Sequence, residues 1–109
     1  MNQLAATEVA AKPDRLVLGM MSGTSMDGLD LALVRVSAGP KPRLATLAHR
    51  TVPQPDSLAL VPRQVLALDT AGLARLHTAL GRFYAEAASA FCGGLGLSPD
   101  LVGLHGQTV

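Results

Sequence analysis

The sequence predicts an α/β fold, a mixed sheet with a packed helix, in the order strand, strand, strand, helix, strand. Three observations carry that expectation. Short apolar runs bounded by turn residues recur through the first half of the chain. A long stretch after Asp69 repeats its apolar residues every three or four positions. A further apolar run follows that helix, and a helix leading into a strand suggests that the last strand joins the sheet beside the first.

Residues 1–15 (MNQLAATEVAAKPDR) contain no continuous apolar segment, and Glu8 and Asp14 interrupt them. They read as a disordered leader, with residues 16–109 as one partial domain. Leu16 to Met21 has the length and flanks of a buried strand. Ser22 to Gly28 is a dense cluster of turn formers, and Leu29 to Val36 is apolar again. Strand, turn and strand together read as a β-hairpin. Ser37 to Pro42 is a second turn, and Arg43 to Val52 fits a third strand with Leu44, Leu47 and Val52 as anchors. Pro53 and Pro55 stop that strand.

A short helix is expected over about Asp56 to Leu68, with Pro62 near its beginning or breaking it. The long helix starts at a cap supplied by Asp69 or Thr70. Leu73, Leu76, Leu80, Phe83, Ala87 and Phe91 fall on one face of it, and Gly93-Gly94 is its expected stop. After Ser98-Pro99-Asp100, Leu101 to Leu104 reads as another buried strand. His105-Gly106-Gln107-Thr108 follows directly, at the place where α/β proteins put their sites. The chain stops as that site begins, which is the expectation for a fragment.

Composition excludes several functions. The net charge is +1 and the basic residues are scattered, so a nucleic-acid or acidic-membrane surface is not expected. Phe83, Tyr84 and Phe91 are the only aromatic residues, too few for base-stacking platforms. The single cysteine, Cys92, cannot form an internal disulfide, and no Cys/His cluster has zinc-site spacing. A reduced, cytoplasmic setting is the simplest inference. No apolar run approaches the length that crosses a bilayer.

The segment Met21 to Gly28 carries the chemistry. It combines two glycines, three hydroxyl residues and a carboxylate between two apolar strands. Glycines allow close backbone approach, and successive N–H groups can form an anion-binding nest. Ser22, Thr24 and Ser25 add hydroxyl donors, and Asp27 can hold a hydrated Mg²⁺ beside phosphate oxygens. The set suits a nucleotide triphosphate tail. It is not a Walker loop, having no lysine after a glycine and no following helix. On composition alone an ordinary hairpin turn is the stronger reading, since Asp27-Gly28 is itself a favoured two-residue turn. Length and hydroxyl content are the arguments against it.

The run Gly19 to Asp30 (GMMSGTSMDGLD) resembles the glycine-hydroxyl-aspartate segment that opens the anhydro-N-acetylmuramic acid kinases. His77 to Ala85 resembles that family's first long helix, and Gly103 to Val109 (GLHGQTV) its next signature. The three matches keep the family's order and cover most of residues 16–109. The resemblance implies a ribonuclease-H-like first half-domain of the actin, hexokinase and Hsp70-like superfamily. It implies an ATP-dependent kinase that opens and phosphorylates 1,6-anhydro-N-acetylmuramic acid in cell-wall sugar recycling. It also implies that Gly23, Thr24, Ser25, Met26, Asp27, Gly28, Leu29 and Asp30 bind ATP phosphates, with Asp27 near Mg²⁺. His105, Gln107 and Thr108 would face the cleft, near the sugar. The family's catalytic aspartate lies in a later Gly-Asp-Phe-Arg type segment that these residues do not contain, so no catalytic residue is assigned and the chain alone is expected to be inactive.

The remaining candidates read as structural. His77 borders the apolar stripe, His49 ends a strand without a visible partner, and Cys92 is a small buried hydrophobe. Gly81 costs about 1 kcal/mol in a helix, and close packing against a strand would explain it. A serine hydrolase built on Ser22 or Ser25 lacks a G-x-S-x-G elbow and a neighbouring base. A non-catalytic nucleotide-binding or interaction module is the other alternative. An uncovered sheet face would favour self-association, as a homodimer or as aggregates.

Overall fold

The computed structural model describes residues 12–22, 28–58 and 62–106. Four strands, β1 (Asp14–Ser22), β2 (Gly28–Ser37), β3 (Arg43–Pro53) and β4 (Leu101–His105), form one sheet in the order β3-β2-β1-β4. Two helices, α1 (Pro62–Leu66) and α2 (Thr70–Leu95), lie between β3 and β4 in the chain. β1 and β2 are antiparallel, β2 and β3 are antiparallel, and β4 runs parallel to β1. The expected mixed sheet with its last strand beside the first is therefore present. The α2 segment makes the long crossover that a parallel pair requires.

Alternation along the strands explains the layering. Leu18 and Met20 of β1 and Leu29, Leu31 and Leu33 of β2 all point to one face. There they meet Val65 of α1 and Leu76, Leu80, Tyr84, Ala87, Phe91 and Cys92 of α2. The helix face steps 76, 80, 84, 87, 91, so Tyr84 takes the core position expected of Phe83, which is half-buried. Leu73, also expected in the core, remains 38% exposed. At a spacing of 3.6 residues it lies ahead of the sheet contact, over a groove shared with His77 and Leu104.

Several boundaries differ from the sequence reading. β1 begins at Asp14, inside the expected leader, because Asp14 and Arg15 pair with Ser37 and Val36. The Pro13 carbonyl also accepts from Ala38 N at 2.7 Å. Residues 1–11 lie outside the described residues. α1 is shorter than expected and starts at Pro62, where the missing N–H is one the first turn leaves unbonded anyway. The stretch before it closes as a turn, with Leu58 N donating to Pro55 O at 2.8 Å and Gln54 Nε2 to Leu58 O at 2.7 Å.

α2 is capped as expected, Asp69 Oδ1 accepting from Gly72 N at 2.7 Å. Its end is not Gly93-Gly94. The helix continues to Leu95 and closes at Gly96, whose φ of 66° is left-handed and whose N–H reaches the Cys92 and Gly93 carbonyls. Gly81 has open space where a Cβ would stand, so close packing does not explain it.

β4 also differs. It was expected to be buried, yet every residue of it is exposed. It has β1 on one side and no described strand on the other, so only half of its contacts are made. β3 is the opposite edge. A bulge between Leu33 and Val34 leaves Leu47 unpaired, which accounts for the imperfect alternation in that strand. Among the described residues no helix is long and apolar enough to cross a membrane.

Candidate functional site

The last pair of the β1–β2 ladder is Ser22 with Leu29. Residues 23–27 therefore separate the two strands in the chain, more than the two residues that an Asp27-Gly28 turn would need. Gly23, Thr24, Ser25, Met26 and Asp27 lie outside the described residues, as do Gln107 and Thr108. Gly28 opens β2 opposite Pro53, and a Cβ on it would come within 3.4 Å of the Val52 carbonyl oxygen. Leu29 is fully buried in the core, so its side chain anchors the segment and only its backbone is open to a site role. Asp30 is exposed on the face away from the helices.

The parallel pairing of β1 and β4 brings the described ends of the two sequence motifs side by side. His105 stands opposite Met21, and Gly103 opposite Gly19. The end of β1, the start of β2 and the end of β4 thus share one end of the sheet, although His105 is far from Ser22 in the chain. In an open α/β sheet that end, beyond the carboxyl ends of parallel strands, is where ligands bind.

From this end a trough runs over the open face of the sheet. Its floor is Gly19, Ala32 and Gly103, and Met21, Asp30, His49 and His105 rise around it. His49 is in the middle of β3, opposite Ala32, and not at a strand end. Thr51 pairs with Asp30, and its hydroxyl donates to Asp30 Oδ1 at 2.5 Å. Thr51 belongs to none of the motifs in the sequence. Only the β2–β3 register, which the bulge helps to set, could have pointed to it.

The described residues include no cluster of three or more His, Cys, Asp or Glu side chains that could cage a metal ion. Mg²⁺ needs no such cage, because it keeps most of its waters and takes one or two carboxylates beside phosphate oxygens. Asp30 fits that requirement, with Oδ1 occupied by Thr51 and no other hydrogen bond to it among the described residues. Away from the site, Cys92 is buried against the core, and loss of solvation pushes its thiol pKa up, so it is an inert packing group.

A model of the family described as anhydro-N-acetylmuramic acid kinase matches residues 15–109. A protein of Bordetella petrii named anhydro-N-acetylmuramic acid kinase is 41% identical over 89% of this chain and 27% of its own length. One of the same name from Pseudoalteromonas translucida is 35% identical over 92% of this chain and 27% of its own. A third, from Acaryochloris marina, is 39% identical over 85% of this chain and 26% of its own. The chain thus spans roughly a quarter of the length of the curated relatives it matches.

Proposed function

This chain belongs to the anhydro-N-acetylmuramic acid kinase family, and on that premise we propose that it carries the nucleotide-phosphate side of an ATP-dependent hydrolytic sugar kinase. The proposed reaction opens the internal 1,6-anhydro bond of anhydro-N-acetylmuramic acid with water. The γ-phosphoryl group of ATP passes to the freed sugar oxygen, giving N-acetylmuramic acid 6-phosphate and ADP. The product belongs to recycling of bacterial cell-wall sugars, and the setting is cytoplasmic.

One observation carries the reading. The parallel β1–β4 pair sets His105 beside Met21, so the glycine-hydroxyl-aspartate segment and the His-Gly-Gln-Thr segment open at the same end of one sheet. A phosphate tail held at the first would extend its terminal group toward the second.

The roles follow from chemistry. Gly23 to Asp30 are the residues proposed for the phosphates, since glycines allow backbone N–H groups to approach and Thr24 and Ser25 offer hydroxyl donors. Asp27 and Asp30 would hold Mg²⁺, largely through its waters. When bound, that ion neutralises charge on the phosphate oxygens. His105, Gln107 and Thr108 are the residues proposed for the sugar. The base that activates water is not assigned to any residue of this chain. Without such a base, water attack lacks a contribution of about 10²–10⁴-fold.

The test is calorimetry with ATP in the presence and absence of Mg²⁺, together with an assay for the sugar phosphate. Mg²⁺-dependent ATP binding is expected, and Asp27→Asn should weaken it about tenfold, the worth of one charge-assisted contact. No sugar 6-phosphate is expected from the 109-residue chain. Absence of ATP binding would refute the phosphate site, and turnover by this chain would refute the missing base.

A further inference from the structure

We propose that Thr51 is a positioning residue for Asp30, a role that rests on the phosphate site proposed above. The two residues face each other across β2 and β3, and the Thr51 hydroxyl donates to Asp30 Oδ1 at 2.5 Å. Both side chains are exposed on the open face of the sheet, outside the core. The pair lies two residues from the start of β2, where the segment joining it to β1 ends.

An exposed aspartate ordinarily samples several rotamers. Beside a phosphate tail that freedom matters, because a carboxylate turned toward phosphate oxygens repels them, whereas one turned toward a hydrated cation supports them. Thr51 removes much of the freedom. Its β-branched side chain is stiff on a strand, so the hydroxyl sits at a fixed place and holds one carboxylate oxygen. The other oxygen, Oδ2, is left to accept from a water on the cation or from a ligand hydroxyl.

β3 is well placed to hold such a device still. Val52, next to Thr51, is packed against the core, and Pro53 pairs with Gly28 at the strand end. The threonine is therefore fixed by the core on one side of the strand and presents its hydroxyl on the other.

The experiment measures Mg²⁺-ATP affinity and thermal midpoint for the wild type, Thr51→Val, Thr51→Ser, Asp30→Asn and the Thr51→Val/Asp30→Asn double variant. Valine keeps the branched shape and loses only the hydroxyl. Thr51→Val should weaken Mg²⁺-ATP binding about fivefold to tenfold with an unchanged midpoint, and serine should restore most of it. In the Asp30→Asn background the valine should add nothing. Wild-type affinity in Thr51→Val beside a loss in Asp30→Asn would overturn the positioning role and leave the site reading intact. Wild-type affinity in Asp30→Asn, or no ATP binding by the parent, would overturn both.

Discussion

Asp100 and Leu16 hold each other twice. The Leu16 amide donates to Asp100 Oδ2 at 2.9 Å, and the Asp100 amide donates to the Leu16 carbonyl at 2.8 Å. Lys12 Nζ donates to the other carboxylate oxygen and completes an ion pair. The contact stands immediately before β4, so it registers that strand against β1 and thereby sets His105 opposite Met21.

These contacts make acid stability depend on Asp100. The Lys12 hydrogen bond, then that from Leu16, hold its carboxyl below the usual aspartate range. A carboxylate lowered in the folded state adds stability above its unfolded value, near 4, and that stability is lost as pH falls through the folded value. Asp100→Asn should lower stability at neutral pH by about 1–2 kcal/mol and flatten the decline below about pH 4. Urea titrations at neutral pH and near pH 3 check both effects. An unchanged acid limb in the variant would refute the assignment.

Gly81 and Gly96 should respond to alanine in opposite directions. Gly81 is inside α2 with open space at its Cβ position, so Gly81→Ala should stabilise by about 0.5–1 kcal/mol. Gly96 closes the helix at φ 66°, so Gly96→Ala should destabilise by about 1 kcal/mol. Thermal melts of the two variants decide it. The helix itself was legible from its apolar spacing, and its start from Asp69. Its end was not, because Gly93, Gly94 and Gly96 are all competent stops, and the choice depends on where Phe91, Cys92 and Leu97 meet the core.

The same limit separates the legible part of the site from the hidden part. Met21, which leads into the loop, and His105 stand in contiguous motifs, and their pairing needs only the rule that a strand after a helix returns beside the first. Thr51 depends on the cross-strand register of a bulged edge, which local sequence does not encode. The exposure of β4 was missed for a related reason. An apolar run looks alike at the centre of a sheet and at its edge.

Tyr84 supplies a third prediction. Its ring fills the core position between Leu80 and Ala87, but its buried hydroxyl has no hydrogen-bond partner among the described residues. Such a hydroxyl loses its water on folding and recovers nothing. Tyr84→Phe keeps the ring and should therefore be neutral or stabilising, by up to about 1 kcal/mol. A loss of 1 kcal/mol or more in a denaturant titration would mean that the hydroxyl is satisfied.

β4 directs the last prediction. Leu101 is 54% exposed and, opposite Val17, lies on the open face of the sheet; the strand's outer edge has no described partner. An exposed apolar edge strand is a template for pairing with another chain. The protein should therefore self-associate as its concentration rises, visible as an increasing mean mass in sedimentation velocity. Leu101→Lys places a charge on that edge without touching the helix-side core, so it should shift the distribution toward monomer while changing folding stability by no more than about 0.5 kcal/mol. Charge on one side chain cannot repair a misfolded sheet, so monomerisation with an unchanged melt locates the contact at β4. A monomeric parent across the concentration range would show that strand twist and the short length of β4 already protect the edge.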